Sequence, residues 1–253
     1  MPLDICNSAI ARRFVLLSAA RSGTSALMSA LRHHPEIFAH GEVFSSFEKL
    51  AAGNGKQLRL EFADRFGVPD PRTAPVAFLD RLVNFTPGPP VVGFKMWFDQ
   101  SPKGCAALMD DAWVSKIVLN RRNRLASYSS RQLASMTGKW GKLRGKGDRA
   151  PSEPALIPQF DPDHFRAYAA RIDRFQHAYR TRSRGDVLHL TYEDVDQVGL
   201  RRTLDFLGVD PDGTDFRLAK QNSRDILARY APDVAPIVER TCRDMGHPEW
   251  LTE

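Results

Sequence analysis

The segment Arg21-Ser22-Gly23-Thr24-Ser25 gathers one guanidinium, one glycine and three hydroxyls into a single short stretch. Groups of these kinds hold anions, above all where loop N–H groups and a helix N-terminus converge. The plainer alternative is a polar helix start in which Ser22 or Thr24 serves only as a cap. A second stretch, Asn120-Arg121-Arg122, is followed two helical turns later by Ser129 and Ser130. An arginine at a strand end and a hydroxyl on the next helix can grip a terminal phosphate dianion. Either serine fits that spacing, while Arg122 and Arg124 read as solvated. Lys95 interrupts the apolar run 91–98, where an ammonium requires an anionic partner or a snorkelling place at the strand end. Glu42 is the candidate general base, and His40 is its rival because histidine most often fills that role. Glu36 reads as solvent-facing.

The elements around these residues must carry them to one place. Residues 14–18 form an apolar strand-like run, and a helical pattern at 26–31 follows the loop directly. Further strands are expected at 91–96, 114–119 and 187–191, all short runs with β-branched residues. Helical patterns fall at about 56–66, 73–85, 103–111, 124–136 and, most regularly, 162–182, where Phe165, Tyr168, Ile172, Phe175 and Tyr179 recur at helical steps. Strands alternating with helices imply an α/β fold with a parallel central sheet flanked by helices. Ligands then belong at the carboxyl ends of the strands. The spacing Ser18-x4-Gly23 echoes the P-loop G-x-x-x-x-G-K-[ST], but Thr24 stands where that motif has its lysine. Strand 114–119 runs into Asn120 and Arg121 rather than into an acidic magnesium ligand. Both departures favour a phosphate ligand other than ATP with magnesium, and no metal is expected.

Composition narrows the choice of partners. Lys and Arg outnumber Asp and Glu by 36 to 30, a net charge of +6 over 253 residues. That mild excess suits a small polyanion better than duplex nucleic acid, which selects a dense basic stripe. Cys6, Cys105 and Cys242 are few, odd in number and far apart, which points to reduced thiols and a cytoplasmic setting. Asp4, Asn7, Ser8, Arg12 and Arg13 break up any signal-peptide core, and no apolar run has the roughly 18–20 residues of a membrane span. One domain over 1–253 is expected, with a basic loop near 138–160 that is either a lid or a mobile solvated segment.

Taken together, these motifs resemble the sulfotransferases that use 3′-phosphoadenosine 5′-phosphosulfate (PAPS), in particular the bacterial carbohydrate branch with its trehalose and Nod-factor enzymes. Gly41-Glu42-Val43-Phe44, Gly93-Phe94-Lys95-Met96 and Leu190-Thr191-Tyr192-Glu193-Asp194 add to the likeness. The resemblance implies a P-loop NTPase-like sulfotransferase fold. It implies that Arg21, Ser22, Gly23, Thr24 and Ser25 hold the 5′-phosphosulfate, and that Arg121 with Ser129, or with Ser130, holds the 3′-phosphate. Tyr192 would touch adenine, unless it is a packed tyrosine beside an Asp194 that caps the next helix. Arg217 or Lys220 would be a further cofactor contact. Glu42 would act as base, with Lys95 and Arg21 stabilising the departing oxygen. The implied reaction is sulfuryl transfer from PAPS to an acceptor hydroxyl, on a carbohydrate or glycolipid. Trp97, Trp113, Trp140 and Trp250 are the residues that could stack on a sugar. Two other classes fit the same residues: a kinase-like phosphotransferase with a degenerate P-loop and Asp194 as its metal acid, and a non-catalytic nucleotide-binding module.

Overall fold

The computed structural model describes residues 12–44, 90–138, 157–216 and 225–253. In chain order its first elements are β1 (Arg12–Ser18), α1 (Thr24–Leu31), β2 (Ile37–Glu42), β3 (Val91–Trp97), α2 (Pro102–Asp110) and β4 (Val114–Asn120). They continue with α3 (Arg124–Thr137), α4 (Pro162–Arg182), β5 (Val187–Thr191), α5 (Gln197–Leu207) and α6 (Ala235–Asp244). Short 3₁₀ turns cover Tyr192–Asp194, Leu227–Arg229 and Pro248–Leu251. The helical patterns at 56–66 and 73–85 and most of the basic loop lie outside the described residues.

The five strands form a parallel sheet in the order β2-β3-β1-β4-β5. Alternate side chains of β1 enter two separate cores. Val15 and Leu17 pack with residues of α2, α3, α4 and α6, whereas Phe14 and Leu16 pack with α1 and α5. A strand buried on both faces reads as a continuous apolar run, which is why 14–17 shows no alternation. Phe14 pairs with Gly93 on β3, and a Cβ on Gly93 would lie only 2.3 Å from the Phe14 ring. The glycine in this strand is therefore the space its neighbour's ring occupies.

Side-chain caps set four of the helix starts. Ser101, Asn123, Asp161 and Asp196 each accept a hydrogen bond from a backbone N–H in the first turn of the helix that follows. One detail differs from expectation. Asp194 does not cap α5; its Oδ2 accepts from the Thr191 N–H at 2.7 Å and the Thr191 hydroxyl at 2.9 Å, closing the turn after β5. Arg124 also departs from its solvated reading: it is buried and paired with Asp173 at 2.6 Å. β2 was not foreseen at all. Ile37-Phe38-Ala39-His40-Gly41-Glu42 mixes polar and apolar residues with no period of two, and it becomes a strand by pairing with β3. Its register shifts between Ala39 and Glu42, which brings Glu42 opposite Lys95. Among the described residues no helix is long and apolar enough to cross a membrane.

Candidate active site

β1 is the central strand; the chain leaves it toward β2 on one side and leaves its neighbour β3 toward β4 on the other, so the direction reverses at the carboxyl ends of β1 and β3. The loop from β1 to α1 lies there. Buried Ser18 donates to the Leu119 carbonyl at 2.7 Å and fastens the loop's origin to β4. Arg21 has φ 67, a left-handed conformation that costs a non-glycine residue about 1–2 kcal/mol. Gly23, with φ 85, opens α1, and a Cβ there would stand 3.0 Å from the Tyr192 ring. Only glycine meets both conditions. Gly23 offers no side-chain acceptor to the first turn of α1, and its carbonyl accepts from the Ala26 N–H at 3.0 Å.

Three guanidiniums converge beside this loop. Arg21 Nε donates to Ser130 Oγ at 2.9 Å, and Arg229 Nη1 donates to Ser129 Oγ at 2.9 Å. Arg121 Nη1 donates to the Arg21 carbonyl at 3.0 Å, and its guanidinium lies 4.2 Å from the centre of the Tyr192 ring. The sequence left Ser129 and Ser130 as alternative partners of Arg121. Successive residues on a helix point about 100° apart, and here each serine meets a different arginine. Burial lowers the Arg21 and Arg229 pKa values, and the nearby Arg121 charge lowers both further. Such a cluster favours an anion. Glu253 supplies one, its Oε1 lying 2.8 Å from Nε and 2.6 Å from Nη2 of Arg121. The segment before it is anchored, since Asn123 Nδ2 donates to the Trp250 and Thr252 carbonyls at 3.0 and 2.9 Å. Arg229 and Glu253 were missed in the sequence. Nothing local distinguishes Arg229 from the chain's other arginines; only the chain's return to the carboxyl ends of the strands does so. Tyr192 gives one ring face to Arg121, so a stacked base would have to use the other face or the edge.

A second group adjoins the loop on the β3 side. Lys95 Nζ lies 2.9 Å from Glu42 Oε1 and donates to Ser25 Oγ at 3.1 Å. Gln100 Nε2 donates to Glu42 Oε2 at 3.0 Å. The buried lysine thus has its anionic partner, and it links the first turn of α1 to the end of β2. His40, the rival base, is buried, and its pKa falls to about 4 because burial and the Arg32 charge both disfavour imidazolium. A base that weak is poorly matched to neutral pH.

A stability effect follows from His40. The unfolded chain takes up a proton near the ordinary value of 6.5, whereas the folded chain does so only near 4. Stability is therefore complete above pH 6.5 and falls as the pH drops toward 4. Urea unfolding at pH 7 and pH 4.5 should show a loss of about 2–3 kcal/mol that His40→Gln removes. An equal acid loss in that variant would assign the effect to other groups.

The tryptophans divide. Trp97 is half-buried at the carboxyl end of β3. Trp113 is 85% exposed but precedes β4, at the opposite end of the sheet. Trp250 is buried, stacked on His247 and edge-on to Phe165. Trp140, Arg217 and Lys220 lie outside the described residues. Glu36 is exposed, as expected.

No family model matches this chain, and no curated protein matches it significantly. Solved structures do. A sulfotransferase from Alicyclobacillus acidocaldarius shares 19% identity at a TM-score of 0.48, the match covering 95% of this chain and 99% of the other. The sulfotransferase domain of the Synechococcus PCC 7002 olefin synthase shares 16% at a TM-score of 0.44, covering 97% and 88%. Retinol dehydratase, solved with retinol and PAP, shares 15% at a TM-score of 0.41, covering 92% and 80%. Likenesses at this level carry no argument about chemistry, which rests on the side chains.

Proposed function

We propose that this protein transfers a sulfuryl group from PAPS to an acceptor hydroxyl. The observation that carries the reading is the contact between Arg121 Nη1 and the Arg21 carbonyl. It sets the loop of residues 21–25 beside the Arg121, Arg229 and Ser129 group, which supports a single ligand with an anion at each end. The residues present fit such a ligand. Arg121 pairs with the Glu253 carboxylate and Arg229 lies within reach of its charge, so the cluster accepts an anion, and Gly23 puts no side chain at the start of α1.

In the proposed reaction Glu42 accepts the proton of the acceptor hydroxyl as its oxygen bonds to sulfur. The bond between sulfur and the 5′-phosphate oxygen breaks on the opposite side. The electron pair stays on that oxygen, giving adenosine 3′,5′-bisphosphate (PAP) and a sulfate ester. Arg21, the loop N–H groups and Lys95 stabilise the charge growing on the leaving oxygen, so positioning and electrostatics supply most of the rate. Ser22, Thr24 and Ser25 bind the phosphosulfate, Arg121, Arg229 and Ser129 bind the 3′-phosphate, and Tyr192 holds Arg121 from below. The resemblance points to a carbohydrate or glycolipid hydroxyl as the acceptor. A kinase-like reading is weaker, because Thr191 and Arg202 already engage Asp194, its metal acid.

Titration calorimetry tests the reading. PAP should bind at sub-millimolar concentration, and labelled sulfate should pass from PAPS to a member of a glycan panel. Binding of magnesium-ATP without binding of PAP would overturn the proposal in favour of phosphotransfer. PAP binding with no transfer to any acceptor would favour a nucleotide-binding module.

A further inference from the structure

Gln100 closes the turn that follows β3, its backbone N–H donating to the Trp97 carbonyl at 3.0 Å. Its side chain repeats the contact in reverse: Oε1 accepts from the Trp97 N–H at 3.0 Å. A carboxamide has one acceptor end and one donor end. With the oxygen committed to a backbone N–H, the end that faces Glu42 is an NH₂ donor, and it meets Oε2 at 3.0 Å. Glu42 is thereby held at both oxygens, by Lys95 at Oε1 and by Gln100 at Oε2. The two holds differ in kind. Lys95 is a flexible ammonium that also reaches Ser25 in the phosphate loop, whereas the amide is locked to the main chain of its own turn.

We propose that Gln100 is a positioning residue that assigns proton transfer to one oxygen of Glu42. The role rests on the reading of Glu42 as base. When Lys95 turns toward the charge developing on the leaving oxygen, Oε1 is released and Oε2 is not. The acceptor's proton then goes to Oε1, and the amide keeps the carboxylate aimed along the line of attack. Without Gln100 the carboxylate rotates about its terminal torsion, which is soft for a glutamate. A displacement of about 1 Å in a reacting group can cost on the order of a hundredfold in rate.

The test compares Gln100→Leu, Gln100→Glu and Glu42→Gln with the unaltered protein. Transfer of labelled sulfate from PAPS is followed to the best glycan acceptor and, needing no identified acceptor, to water. PAP affinity and urea unfolding are measured alongside. For Gln100→Leu, kcat should fall about tenfold to a hundredfold while KM for PAPS and PAP affinity stay within about twofold. Gln100→Glu preserves shape but sets a carboxylate against a carboxylate, so it should fall further than Gln100→Leu. A purely structural role predicts the opposite order, with the isosteric variant less affected. That order, or unchanged kcat in Gln100→Leu while Glu42→Gln is inactive, would overturn the positioning role and leave the base assignment standing. Full activity in Glu42→Gln would remove the base and this role together, as would absence of transfer by the unaltered protein to glycan and water alike.

Discussion

Replacing Arg121 with alanine is expected to weaken PAP by about a hundredfold or more while changing adenosine 5′-phosphosulfate by less than about threefold. The difference arises because the second nucleotide lacks the 3′-phosphate that Arg121 is assigned to hold. A charge-assisted hydrogen bond contributes about 1.5–3 kcal/mol, and a guanidinium can make two to one phosphate. The Arg121 side chain is 3% exposed, so solvent screens it little. Glu253 complicates the measurement in an informative way. A 3′-phosphate must displace its carboxylate from Arg121, so the observed affinity is net of that exchange. Glu253→Gln should therefore tighten PAP several-fold and leave adenosine 5′-phosphosulfate alone. Arg121→Ala by itself strands a carboxylate that is 10% exposed, and breaking a buried pair from one side typically costs about 3–5 kcal/mol of stability. The double variant Arg121→Ala with Glu253→Gln avoids that penalty and should still discriminate between the two nucleotides. Equal losses for both ligands in the double variant would overturn the assignment of Arg121 to the 3′-phosphate.

How far the sequence could be read depends on whether a residue's role is set by its neighbours in the chain or in space. β1, β3, β4 and α4 are legible because their apolar runs are buried on both faces or repeat at helical steps, and those patterns are local. The loop at 21–25 is legible for the same reason, since strand, glycine and helix are contiguous. β2 is not: its strand form depends on β3, which lies some fifty residues later. The same pairing gives Glu42 its place, because the shift in register puts it opposite Lys95. From the sequence Lys95 needs either an anion or a snorkelling place at the strand end, and no local pattern says which. Arg229 and Glu253 are illegible for a stronger reason. Each reaches Ser129 or Arg121 across about a hundred residues or more, and neither sits in a local pattern. The sequence ranks His40 behind Glu42 as a base, and the physical ground for that ranking is not local, since only the fold shows His40 buried near the Arg32 charge.

Glu42→Gln should separate binding from turnover, moving them in opposite directions. The substitution keeps the shape and removes the negative charge that holds Lys95 at 2.9 Å. General base catalysis contributes on the order of 10²–10⁴, so kcat should fall about a thousandfold. Lys95 remains beside Ser25, at 3.1 Å, with its charge no longer shared with a carboxylate. A phosphate in the 21–25 loop then meets an undivided ammonium, and PAP should bind several-fold tighter, by calorimetry at fixed ionic strength. Lys95→Met provides the counterpart. It removes a donor aimed at the leaving oxygen, a loss of about 10²–10³ in kcat for groups of this type, and it should weaken PAP rather than tighten it. A general loosening of the site would weaken binding in both variants. Opposite signs for PAP with parallel losses of turnover are what one ion pair shared between donor loop and base requires. Undiminished turnover in Glu42→Gln would remove Glu42 as the base, and weaker PAP binding in that variant would remove Lys95 from the phosphate.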